Sequence, residues 1–309
     1  MKKLIIFTDL DGTLLDYSTY SFEAALPALQ LLKEKDVPLI ICSSKTRKEI
    51  EHYRKKLTNN HAFISENGGG ICIPKGYFDS SIRDLSFYVE NEINMSHSDK
   101  KDNENNPPSP PFTKGGKGGF SEENDYYVIR LGAQYSDLRK AIQEIRKEGF
   151  DVRGFGDMTA KELVEVANLS IDEAIMAKGR DFDEPFIFQG SEEEARRLFN
   201  SIRSKGFNCT QGRFFHILGN SDKGKAVSIL IESYKKKFGE IVTIAIGDSP
   251  NDIPMLEIVD YPIIVLKPDG SYDPHIDIAN LIKADGIGPE GWNKAVLKLL
   301  STSNISQYF

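Results

Sequence analysis

Cysteine is scarce in this 309-residue chain, with only Cys42, Cys72 and Cys209. The number is odd, and Cys42 closes an apolar run that reads as a buried strand, so a disulfide-stapled scaffold is excluded. Positive charge is in short supply as well. Lys and Arg number 39 against 46 Asp and Glu, a formal charge of −7, so no global positive field exists to attract a polyanion and nucleic acid is not an expected partner. Long apolar runs are missing too: Leu4 to Phe7 and Ile241 to Ile246 fall far short of the roughly 18 residues a membrane helix needs. Met1-Lys2-Lys3 leads at once to Asp9 and Asp11, which is not a signal-peptide pattern. The expectation is a cytoplasmic protein with no membrane partner, and residue types carry no trace of oligomeric state.

What is present is ordinary for a globular chain: 28% charged and 10% aromatic residues, in a length that predicts about two domains. At the N-terminal end KKLIIFTDL, FEAALPALQLLKEKD and VPLIICSS read as strand, helix and strand. After Ser221 the alternation resumes with a helix DKGKAVSILIESYKKKFG, a strand IVTIAIGD, a helix from Asn251 to Val259 and a strand YPIIVL. Continuously apolar strands of this kind fit a parallel sheet covered on both faces.

The middle of the chain differs. YYVIRLG, SDLRKAIQEIRKEG and FDVRGF are echoed 57 residues later by FIFQG, EEEARRLFNSIRSKG and FNCTQG, with Gly149 aligned on Gly206. This predicts two similar α+β units side by side in one sheet. The fold class is therefore α/β: a Rossmann-like parallel-sheet core, residues 1–81 and 217–309, with an inserted α+β domain at 82–216. Residues 94–124, with four Pro, four Gly and only Met95, Phe112 and Phe120 as sizeable apolar groups, read as a flexible, disordered surface insertion.

Chemistry gathers at predicted strand ends, where ligands of open parallel sheets bind. FTDLDGTLLD carries Asp9 and Asp11, a hard-oxygen pair suited to Mg²⁺, although a turn with capping Asp and Thr would read the same way. IVTIAIGDSPND adds Asp248 and Asp252, which alone would pass for a helix N-cap. Two buried strands bringing paired carboxylates to one edge repel each other unless a cation joins them. VPLIICSSKTR places Ser43 and Ser44 at a third strand end, either able to hold a phosphate, with Lys45 and Arg47 beyond. Lys223 opens the helix after Gly219 and reaches the same edge. The stretch from Gly219 to Ala226 also matches a phosphate loop except at Ala226, where a metal-binding hydroxyl belongs. A nucleotide triphosphatase would also leave Asp9 and Asp11 without a use.

DLDGT, the strand ending in Ser43-Ser44, Lys223 and GDSPND resemble, in order and context, the four motifs of the haloacid-dehalogenase superfamily of phosphatases. The insertion falls between the second and third, as in its sugar-phosphatase branch, where such a domain caps the active site. SSKTR, ENGGGICIPKGYF, GRDFDEPF and GRFFHILGNSDKG are similar to the mannosyl-3-phosphoglycerate phosphatase family within that branch. This resemblance implies Asp9 as nucleophile and Asp11 as general acid and base. It implies Mg²⁺ held by Asp9, the Asp11 carbonyl and Asp248, with Asp252 behind them. Ser43 or Ser44, Lys223 and Asn251 would hold the phosphoryl group. Arg180, Arg213 and His216 from the cap, with Asn67 and Gly68 from the core, would grip a small phosphorylated sugar-glycerate substrate. The rivals are a glucosyl-3-phosphoglycerate or other sugar-phosphate phosphatase, a phosphomutase, and a catalytically dead phosphosugar-sensing module.

Overall fold

Apolar strands followed by amphipathic helices set the architecture. The protein's structure, a computed structural model, describes residues 2–78 and 119–301. Its elements begin with β1 (Lys3–Thr8), α1 (Leu26–Glu34), β2 (Leu39–Cys42), α2 (Arg47–Lys56), β3 (Phe63–Ser65) and β4 (Gly70–Pro74). From residue 119 come β5 (Gly119–Glu123), β6 (Tyr126–Arg130), α3 (Tyr135–Lys147), β7 (Val152–Gly154), α4 (Ala160–Ala167) and α5 (Ile171–Ala177). Next are β8 (Asp183–Phe188), α6 (Glu192–Ser204), β9 (Asn208–Gln211) and β10 (Phe215–Leu218). The chain continues with α7 (Lys223–Phe238), β11 (Ile241–Gly247), α8 (Ile253–Leu256), β12 (Tyr261–Leu266), β13 (Ile282–Ile287) and α9 (Gly288–Ser301). Among the described residues no helix is long and apolar enough to cross a membrane.

Among those residues the larger sheet has nine strands in the order β13-β12-β11-β1-β2-β3-β4-β6-β5. Pairing is parallel from β13 to β3 and antiparallel from β3 onward. Strand side chains alternate between faces. Leu4 and Ile6 therefore pack on one layer with Trp292 and Val296, while Ile5 and Phe7 pack on the other with Val227 and Leu230. Each such fully buried side chain contributes about 1.5–3 kcal/mol. The central position of β1 and β11 brings their C-terminal ends side by side, with Asp9 N–H donating to Ile246 O at 2.9 Å.

A second sheet, β7-β8-β10-β9, is antiparallel throughout. On one face α3 and α6 supply Leu138, Ile142, Leu198 and Ile202; a separate cluster joins α4 and α5 through Leu163, Ala167, Ala174 and Ala177.

Three expectations need correction. The echoed segments do not all share a sheet: β6, the YYVIR strand, pairs with β4 of the larger sheet from Gly70↔Arg130 to Pro74↔Tyr126, so residues 119–130, assigned to the inserted domain by sequence, extend the core sheet instead. The repeat survives as α3-β7 and α6-β9, at opposite edges of the smaller sheet. Alternating apolar residues specify a strand but not the partner it joins. The insertion read at 94–124 falls outside the described residues up to 118, and its last residues, Gly119–Glu123, form β5 against β6. The helix expected from Asn251 to Val259 shrinks to a turn at Pro250–Asp252 followed by Ile253–Leu256, because Asp260 ties the chain back to Thr243 through three hydrogen bonds.

The two sheets meet at Glu66, which is fully buried. Its carboxylate accepts N–H bonds from Asp181, Phe182 and Asp183, at 2.7 to 3.1 Å, at the entry to β8. Positive φ angles of 50° at Glu66 and 54° at Asn67 turn the chain so that the side chain points there. Glu66→Ala should lower stability by about 3 kcal/mol, the cost of orphaning buried donors and the neighbouring charge, and Glu66→Gln should cost less. Urea unfolding measures both; a Glu66→Ala midpoint equal to wild type would contradict this account.

Candidate active site

Asp9 follows β1 and Asp248 follows β11. The turn after Asp9 is closed by Leu15 N–H to Leu10 O and Gly12 N–H to Leu15 O. Gly12 has φ +77°, and a Cβ there would lie 2.9 Å from Asp248 Oδ2, so the close approach of the two loops requires glycine. Thr13 donates to Asp248 Oδ1 at 3.2 Å. Asp252 Oδ2 accepts from the Asp248 and Ser249 N–H groups, which fixes the loop carrying Asp248.

Lys223, fully buried, stands 2.6 Å from Asp9 Oδ1 and 2.6 Å from Asp252 Oδ1. It is placed by the start of α7, whose N-cap Asp222 accepts from Lys225 N–H. Gly68 seats that helix: with φ +88°, its missing Cβ would fall 2.0 Å from Asp222 O. The phosphate-loop alternative finds no support here, since Lys225 bonds to Asn220 and pairs with Asp222 at an exposed position, and Ala226 is buried in the core.

Carboxylate oxygens of Asp9, Asp248 and Asp252 lie within 4.8 Å of one another, with one ammonium among them. Burial pushes the Asp9 carboxyl well above the ordinary range against the pull of Lys223, and Asp252, Asp248 and Asp11 add to the rise. Burial likewise pushes Asp248 up to about 7, reinforced by the charge of Asp252. For Lys223 burial works against the charge, but Asp252 and Asp9 outweigh it and hold the ammonium above the usual lysine range. The donor set is all oxygen, buried and negative in excess, so it fits a hard divalent cation. Asp252 is already engaged at both oxygens, which leaves Asp9 and Asp248 as the groups with capacity to spare.

Above this floor, a cleft lies between the two sheets. Of the residues singled out by sequence, Asp9, Asp11, Ser44, Lys45, Arg180, Arg213, His216 and Asn251 line it. Lys223, Asp248 and Asp252 are buried around Asp9. Ser43 is also fully buried, its Oγ accepting from Lys45 N–H at 3.3 Å, so Ser44 is the serine at the cleft. Arg47, Asn67 and Gly68 are not in the lining. Arg47 pairs with Glu51 and Glu123, Asn67 bridges Asp183 and Asn251, and Gly68 serves the helix contact above.

Sequence reasoning passed over Glu49 and Asp183, which hold the cleft's cations Lys45 and Arg180. Lys45 lies 3.0 Å from Asp11 Oδ1, at ion-pair distance without hydrogen-bond alignment, and 3.6 Å from Glu49. Burial opposes its charge, yet Asp11 and Glu49 raise its pKa above the lysine range. Asp183 pairs with Arg180 and lies 3.0 Å from His216 Nδ1. Burial opposes its ionisation, but Arg180 and His216 hold it below the ordinary range. Arg180 also donates to Ser44 O at 2.8 Å. Asp183 sits in the GRDFD stretch beside Arg180, and that spacing is the one signal that pointed to it.

With the geometry in place, the family is shown. A profile described as haloacid dehalogenase-like hydrolase matches residues 6–267, and the chain belongs to that family. Among curated proteins it is 44% identical, over 98% of its length and 99% of the relative's, to a glucosyl-3-phosphoglycerate/mannosyl-3-phosphoglycerate phosphatase of Methanococcoides burtonii. A protein of the same description from Persephonella marina is 38% identical over 96% of this chain and 97% of its own. The fold also matches a solved structure from Thermoplasma acidophilum at TM-score 0.60 and 16% identity, covering 96% of this chain and 98% of that one.

Asp248 gives a pH test. Its pKa when folded, about 7, exceeds an unfolded value of about 3.9, so the folded state holds more protons between these values. The cation-free protein should lose stability as pH rises from about 4 through about 7. Thermal melts in EDTA from pH 5 to 8 should show this decline, Asp248→Asn should lessen it while the raised Asp9 and Glu66 carboxyls keep their share, and MgCl₂ or MnCl₂ should reverse it with proton release seen by calorimetry. A melting temperature that rises over the same range would contradict the assignment.

Proposed function

We propose that the chain is a Mg²⁺-dependent phosphatase that hydrolyses mannosyl-3-phosphoglycerate to mannosylglycerate and phosphate. The observation that carries this reading is the Asp9–Lys223–Asp252 contact beside Asp248, beneath a cleft lined by both sheets. The names of the relatives favour glucosyl-3-phosphoglycerate as a second substrate of the same site. The smaller sheet and its helices, residues 133–218, act as the cap.

Asp9 attacks phosphorus to form an aspartyl-phosphate, with Lys223 holding Oδ1 and orienting the other oxygen toward the substrate. Asp11, at the cleft and partly exposed, gives its proton to the leaving glycerate oxygen and then takes one from the water that cleaves the anhydride. Its contact with Lys45 keeps the carboxylate in the cleft. Asp9, the Asp11 carbonyl and Asp248 would hold Mg²⁺, which when bound would supply the positive charge that lets two anions approach. Lys223, Ser44 and Asn251 hold the phosphoryl oxygens, and Asp252 positions Lys223.

Phosphate release from a panel of glycosyl-3-phosphoglycerates and hexose phosphates, with MgCl₂ or with EDTA, tests the whole reading. Turnover should be fastest with the glycosyl-3-phosphoglycerates and absent in EDTA. Asp9→Asn should lose about 1,000-fold or more in kcat. Activity in that variant would sink the covalent mechanism, and transfer of phosphate to a second sugar hydroxyl would indicate a phosphomutase.

A further inference from the structure

Among the described residues, Lys45, Arg180 and Arg213 are the lysine and arginine side chains that line the cleft, and their charges are not equally available. Lys45 lies between Asp11 and Glu49. Arg180 is paired with Asp183, and its remaining bonds go to Ser44 O and Ala177 O. Arg213, in the turn between β9 and β10, is different. Its Nη1 donates to two neutral acceptors, Tyr20 Oη at 2.6 Å and Tyr17 O at 3.3 Å, and no carboxylate pairs with it among the described residues.

The guanidinium also lies over aromatic rings. Its carbon lies 4.8 Å from the Tyr17 ring centre, 5.7 Å from Tyr20 and 5.8 Å from Phe214. Aromatic faces orient a guanidinium without cancelling its charge, and two-point contact with a carboxylate remains open to it. Tyr20 is built to aim it. The phenol donates to Ala167 O at 2.8 Å, so its oxygen is left to accept from Arg213. Its backbone has φ +56°, a conformation that a non-glycine residue adopts when its surroundings impose it. Here Tyr20 N–H bonds to Asp16 O, and Asp16 N–H bonds to Ser21 O. Asp16 Oδ1 gathers the N–H groups of Ser18 and Thr19.

We propose that Arg213 reads the carboxylate of the substrate's glycerate half, with Tyr20 as its positioning residue. Resting on the phosphatase function above, this assigns the preference for carboxylated sugar phosphates to one arginine. The core loop at 16–22 supplies the aromatic bed and the cap supplies the charge, so carboxylate recognition requires both parts together. Arg180, which sequence alone ranks with Arg213, serves the junction.

The experiment compares kcat/KM for mannosyl-3-phosphoglycerate with that for the same ester whose carboxylate is reduced to an alcohol. In wild type the carboxylated ester should be favoured. Arg213→Gln should shrink that ratio by about 30-fold, the loss of a charge-assisted hydrogen bond. Arg213→Lys, which keeps the charge but not the fork, should restore part of it. Tyr20→Phe should raise KM for the carboxylated ester more than it lowers kcat, and should add no further loss in the Arg213→Gln background. An unchanged ratio in Arg213→Gln, with wild type discriminating, overturns this inference alone. Equal turnover of the two esters by wild type overturns it and leaves the phosphatase intact. Failure of wild type to hydrolyse either ester with MgCl₂ overturns both.

Discussion

Lys223 has no exposed surface and stands 2.6 Å from two carboxylates, and the rest of the site is arranged around that contact. A buried ammonium is held only where opposite charge and hydrogen bonds replace water. Asp9 and Asp252 do this, yet with Asp248 beside them the acids outnumber the base. Burial, reinforced by that imbalance, keeps Asp9 and Asp248 elevated in pKa, and the excess of acid makes a cation the natural third party. Lys223 reaches its place because α7 starts where two backbones nearly touch it. Gly68 and Gly224 each lack a Cβ that would lie 2.0 and 2.3 Å from the carbonyl oxygens of Asp222 and Pro254. Neither glycine meets substrate in this arrangement; both fix the position of the charge.

The acidic motifs were legible because their signal is local. An apolar run ending in Asp, with Gly and Thr or Gly and Pro after it, defines both the strand and what the strand carries, although DLDGT and GDSPND pointed to a cation only when taken together. Lys223 was legible only as part of the set, since a lysine in the first turn of a helix is ordinarily exposed. Glu66, Asp183 and Tyr20 were not, because each takes its meaning from a partner 116, 33 or 193 residues away. The fold divides the same way. Helices and parallel strands follow from periodicity, but the sheet that receives YYVIR is decided by which edge stands open, and β4 offers one.

The junction between core and cap explains how residues of one chemical type came to different ends. Glu66 collects three main-chain N–H groups of the cap, and Arg180 returns to the core by bonding Ser44 O. Asn67 links Asp183 to Asn251 of the floor. Glu66 and Asn67 are thus engaged on both sides of the junction, so they tie the cap's position to the phosphate site without lining the cleft themselves.

Charge accounting then bears on how a protein of net charge −7 would hold the proposed substrate, which carries two anionic groups. Net charge governs long-range attraction, but affinity inside a cleft depends on which charges remain unspent once the protein has neutralised itself. Lys223, Lys45 and Arg180 each face carboxylates of the protein. In the proposed mechanism the first of these still serves the phosphoryl group, because the acids around it are too many for it and a bound cation would share the load. At the other part of the cleft the surplus is reversed: Arg213 rests on aromatic rings and neutral oxygens. An acid-rich floor that fits a metal and an arginine with no counterion among the described residues are complementary to one kind of molecule, a phosphate ester with a second negative group at a distance. A simple hexose phosphate satisfies only the first.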